Sequence, residues 1–78
     1  MQKHIVGTAS TPKTGNICYY VQKGTPLTVG ITQQKGILLQ QTVPFCGSYK
    51  KAVLFMKQLA IGKATAVSLK DLCEDYRK

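Results

Sequence analysis

The sequence predicts an α+β domain, an antiparallel meander of three or four strands followed by two helices packed on one face. Two observations carry that expectation. Side chains of alternating character mark residues 17–23 and 27–32, the period of half-buried strands, and beyond Pro44 the period lengthens to that of a helix. A third supports them: the C-terminal segment has the start signals of a separate amphipathic helix.

Residues 4–8, with Ile5 and Val6, read as a weak first strand, and residues 1–16 are expected to be the least ordered part of the chain. Ala9 to Asn16 is dense in turn formers. In residues 17–23, Ile17, Tyr19 and Val21 share one face while Cys18, Tyr20 and Gln22 share the other. Gly24-Thr25-Pro26 ends that strand. Leu27, Val29 and Ile31 alternate with Thr28, Gly30 and Thr32, which predicts a second firm strand. Gln33-Gln34-Lys35-Gly36 reads as a short polar hairpin link, and residues 37–43 as the third firm strand. Pro44 cannot donate to a ladder, and Phe45-Cys46-Gly47 leads to Ser48, an N-cap residue.

The spacing of Ala52, Phe55, Met56 and Leu59 predicts a helix over Tyr49–Ile61, with Gly62 as its C-terminal stop. On the same wheel Leu54 and Ile61 fall between Lys50 and Lys57, away from the buried stripe. The terminal segment, or a second copy of the chain, is needed to cover them. That segment predicts a second helix over Leu69–Arg77. Ser68 is its expected N-cap, with Asp71 at the third position and Val67 stapling Leu72. Leu69, Leu72, Cys73 and Tyr76 form its apolar face, and Lys70, Glu74, Arg77 and Lys78 its polar one.

Composition bounds the function classes. Seventy-eight residues make one small domain, 44% apolar and 18% charged, a globular rather than a disordered balance. The formal net charge is +8, and Asp71, Glu74 and Asp75 are the only acids. Cys18, Cys46 and Cys73 are an odd, widely spaced set, and the first residues lack the apolar stretch of a signal peptide, so none is expected. A reducing cytoplasm is the expected setting. No apolar run approaches the length of a membrane span, so no membrane partner is expected.

The inventory of reactive groups is poor. His4 is the only imidazole and stands near the terminus, and Cys46 is a lone thiol beside an expected helix start. Three cysteines and one histidine lack the close pairs of a structural zinc site, so neither catalytic residues, nor a metal, nor a cofactor is expected. The seven glycines are scattered singly and cradle no phosphate. Tyr20, beside Tyr19 and ahead of Lys23, is the one ring placed for base stacking on a sheet. The lysines are dispersed apart from Lys50, Lys51 and Lys57.

The stretch from Ala64 through Val67-Ser68-Leu69-Lys70-Asp71-Leu72-Cys73-Glu74-Asp75-Tyr76, with Tyr19-Tyr20 and Val29-Gly30-Ile31, resembles a family of small uncharacterised proteins from Gram-positive anaerobes. Its members end in a similar xLxDxxEDY segment after a sheet and a helix. The resemblance implies an order of elements and no activity. The chain departs from that pattern in its lack of acids upstream of Asp71.

The functional expectation is therefore a small non-enzymatic interaction module, working through Lys50, Lys51, Leu54, Lys57 and Ile61 on a protein partner or a second copy. The alternative is nonspecific single-stranded nucleic-acid binding through a basic surface, with Tyr20 as the stacking residue.

Overall fold

The computed structural model of the protein describes residues 3–77, with Tyr76 and Arg77 described by their backbone alone. It is an α+β fold in which strands β1 (Lys3–Thr11), β2 (Gly15–Gln22), β3 (Thr28–Lys35) and β4 (Ile37–Pro44) precede helices α1 (Tyr49–Ile61) and α2 (Leu69–Arg77). The strands form one antiparallel sheet in the order β1-β2-β3-β4, the meander that the alternating segment predicts. Both helices lie on one face. The shortest dimension, 16 Å, holds one sheet layer and one helix layer.

Register makes the core. The pairs Tyr19↔Ile31 and Val21↔Val29 put four fully buried side chains on the helix side of the two central strands, joined by Ile17. Ala52, Phe55 and Met56 of α1 close over them, together with Phe45, Ala66, Leu69 and Cys73. The Phe45 and Phe55 rings meet with centroids 5.6 Å apart. Helix α1 covers β1 and β2, while α2 lies against β4. The opposite sheet face, with Cys18, Gln22, Thr32 and Gln40, has no helix over it among the described residues.

Several boundaries differ from the sequence reading. The first strand is not a short segment at residues 4–8; it runs through nine residues because β2 supplies a partner along nearly its whole length. Gln33, Gln34 and Lys35 are not a polar link but the end of β3, paired with Leu39, Leu38 and Ile37. Gly36 alone turns the chain, at φ +76°, a left-handed conformation that glycine adopts without cost.

Helix α1 has the predicted bounds, and Ser48 is its N-cap: the Lys51 backbone N–H donates to the Ser48 hydroxyl at 3.2 Å. Its C-terminus is displaced by one residue. Gly62 has an ordinary φ of −82°, and Lys63 takes the left-handed position at φ +55°. The Lys63 N–H donates to the Ala60 carbonyl and the Ala64 N–H to the Leu59 carbonyl, the paired bonds of a Schellman motif.

The start of α2 also differs. A 3₁₀ turn, Ala66–Ser68, runs directly into the helix, and the Ser68 hydroxyl turns back to Thr65, donating to its carbonyl at 3.3 Å. The turn aims Ala66 into the core, so Val67, the expected staple, stays 78% exposed. Leu69 and Cys73 are buried and Leu72 half-buried, as the apolar face requires. The expected place of the Tyr76 side chain on that face lies outside the described residues. No helix among the described residues is long and apolar enough to cross a membrane.

Candidate functional site

Four of the five predicted surface residues fall on one line. Lys50, Leu54, Lys57 and Ile61 are spaced i, i+4, i+7, i+11, which places them along the side of α1 opposite the buried Ala52, Phe55 and Met56. Lys51 flanks the line, and all three lysines are exposed. Leu54 is 54% and Ile61 82% exposed. The expectation that the terminal segment covers this pair fails, because α2 packs at the other side of the layer, on β4.

Beside that line runs a groove of about 360 Å³ between α1 and β1, lined by Val6, Gly7, Thr8, Lys57, Ala60 and Ile61. Local sequence explains it. The β1–β2 register shifts between Ile5 and Gly7, so Val6 is an extra residue that bends the strand. Gly7 then passes so close to α1 that a Cβ built on it stands 2.8 Å from the Ala60 Cβ. Two small residues meet there, and the longer Lys57 and Ile61 form the rim. The floor is apolar and the one charge at the rim is a lysine. The arrangement suits an apolar side chain with an acidic neighbour.

The residues considered for catalysis are elsewhere. His4 packs against Tyr49 with ring centroids 6.2 Å apart, and the Lys23 ammonium stands 4.6 Å from the same ring. Cys46 is exposed between β4 and α1, Cys18 is half-buried on the helix-free sheet face, and Cys73 is buried. None of these residues lines the groove. Among the described residues no three of His, Cys, Asp and Glu gather as metal ligands do.

Tyr20 corrects the stacking expectation. Its side chain is on the helix-free face, as the alternation predicts, but it is only 2% exposed. The ring lies flat across the neighbouring strand at Gly30, where an added Cβ would come within 2.3 Å of Cζ. Gln40 Nε2 donates to the phenol oxygen at 2.8 Å, and the Lys3 ammonium sits 4.9 Å from the ring centroid. No face of the ring is left for a base. Tyr19, its neighbour, points into the core and donates to the Ala64 carbonyl at 2.5 Å. Burial pushes the Tyr19 phenol above its ordinary pKa.

One surface escaped the sequence reading. Ile37, Leu38 and Leu39 are 77%, 58% and 44% exposed, because β4 is the last strand of the meander and none of the described residues pairs with its outer side. The signal was present in the run Ile-Leu-Leu, which breaks the alternation that a one-sided strand keeps. Compared with protein-family models, curated proteins and solved structures, the chain has no significant match.

Proposed function

We propose that this protein is a small non-enzymatic interaction module that docks a segment of another protein along the outer line of α1. The observation that carries the reading is the alternation Lys50, Leu54, Lys57, Ile61 on a helix face that no other element among the described residues covers, beside the apolar groove at Gly7 and Ala60. Contiguous apolar surface edged by one sign of charge marks an interaction site rather than a solvated face. The partner is an apolar segment flanked by Asp or Glu, with lysines supplying approach and orientation and Leu54 and Ile61 the buried contact. A cytoplasmic setting and kinship with the small Gram-positive family belong to the same proposal, resting on the cysteine pattern and the C-terminal segment.

The test is an NMR titration with a helical peptide carrying leucines four residues apart and flanking glutamates. Amides of α1 and the β1 bulge are expected to shift, with affinity falling about tenfold or more between 50 and 300 mM salt. The double variant Leu54→Glu, Ile61→Glu is expected to abolish the shifts. Binding that survives the variant, or shifts confined to β3 and β4, overturns the assignment.

A further inference from the structure

We infer that β4 is a homodimerisation edge, on which a second copy of the chain continues the sheet through an antiparallel β4–β4 pairing centred on Gln40. This surface is separate from the α1 line. The Phe45 N–H donates to the Leu27 carbonyl at 2.8 Å, which makes that pair a hydrogen-bonded one. Bonded pairs recur every second residue of an antiparallel ladder. The unbroken β3–β4 register therefore makes Val29↔Val43, Ile31↔Gln41 and Gln33↔Leu39 the bonded pairs. Leu38, Gln40 and Thr42 are left with N–H and C=O directed away from β3.

These three groups are self-complementary. A two-fold axis through Gln40 sets Leu38 against Thr42 of the other copy, Gln40 against Gln40, and Thr42 against Leu38, so every outward group of the three finds a partner. Pro44, with no N–H, ends the ladder on each side. On the helix side the same register places Ile37, 77% exposed, opposite Val43, and Leu39 opposite Gln41.

The two edges of the sheet differ in protection. β1 carries Lys3 and the bulge at Val6, devices that discourage edge pairing. β4 has no charged residue, no bulge and seven exposed positions out of eight. Charge selects the same edge. Each copy bears +8, yet no lysine or arginine lies between Gly36 and Ser48. The neighbouring helix α2 holds all three acids of the chain. Lys35, at the end of β3, is drawn off to the Lys13 carbonyl at 2.9 Å. Two copies thus approach with least repulsion at β4, whereas the β1 edge adjoins α1, whose Lys57 lines the groove beside Val6 and Thr8.

Sedimentation equilibrium of the full chain from 5 to 500 μM, with amide hydrogen exchange over the same range, tests the inference. A monomer–dimer equilibrium is expected, with the Leu38, Gln40 and Thr42 amides gaining protection as concentration rises. Gln40→Pro, which removes an N–H that the single chain does not use, is expected to weaken association at least tenfold with an unchanged circular dichroism spectrum. Gln40→Ala keeps the N–H, loses only the bond to Tyr20, and is expected to stay dimeric. A strict monomer at 500 μM overturns the inference, as does a dimer that protects β1 amides or persists in Gln40→Pro. Dissociation by Leu54→Glu, Ile61→Glu with no effect of Gln40→Pro moves the contact to α1 and overturns it too.

Discussion

Tyr19 and Tyr20 are adjacent in sequence and do opposite work. Tyr20 fills the space over Gly30 on the helix-free face, so its ring is a structural cover. Tyr19 crosses the core and ties the sheet to the turn after α1 through the Ala64 carbonyl. Tyr19→Phe is expected to cost about 1–2 kcal/mol at pH 7, since it leaves that carbonyl without its donor. The pH dependence has a definite sign. Burial raises the folded phenol above the unfolded value of about 10, so the folded chain holds this proton more tightly. The stability Tyr19 contributes is whole below pH ~10 and is lost as pH rises through the raised folded value. Urea midpoints of the two chains at pH 7, 9, 10.5 and 11 are therefore expected to converge above pH 10. A gap that stays constant to pH 11 removes the linkage. Which face each tyrosine takes was legible from alternation alone. That Tyr20 lies flat was not, because it depends on Gly30 being its cross-strand partner, a matter of register.

At the scale of elements, local chemistry was readable where it decides the outcome and opaque where tertiary pairing does. Helix α1 begins at Ser48 because a hydroxyl there accepts from the Lys51 N–H, and both that cap and the buried stripe are written in the residues. The extension of β3 through Gln33, Gln34 and Lys35 is set by β4 along all three and by β2 at Gln33 and Gln34, which polar residues do not advertise. The end of α1 lies between these cases. Gly62 is the obvious stop, but the left-handed conformation falls one residue later, on Lys63. A side chain in that region costs about 1 kcal/mol relative to glycine. Lys63→Gly is thus expected to raise stability by roughly 0.5–1 kcal/mol, read as a higher urea midpoint at unchanged slope. Gly62→Ala, where φ is −82°, is the control and is expected to be no more destabilising than an ordinary surface change. A destabilised Lys63→Gly chain removes the Schellman assignment.

At the scale of the molecule, charge and fold are arranged against one another. Eleven cationic side chains face three acids in a body 33 Å long, and the acids are gathered on α2 while α1 carries Lys50, Lys51 and Lys57 without a single carboxylate. The sequence displayed the imbalance; only the fold shows that α2 and α1 sit at opposite sides of the helix layer, so the molecule has a mixed side next to β4 and a cationic side next to β1. Repulsion within the cationic side opposes folding and is relieved by salt. In 10 mM NaCl the screening length is about 30 Å, so every lysine interacts with nearly every other; near 150 mM it is about 8 Å and only neighbours do. Thermal stability is therefore expected to rise between these conditions by a few degrees, which at this size corresponds to something under about 1 kcal/mol. The measurement belongs on the Gln40→Pro chain at constant concentration, where a salt-favoured dimer adds nothing to the shift. Replacing Lys50, Lys51 and Lys57 by Gln is expected to raise the midpoint in 10 mM NaCl and to flatten the salt response. A midpoint that falls with salt in both chains shows that attraction between α2 and its surroundings outweighs repulsion on α1, and it would remove the electrostatic reason for two copies to meet at β4.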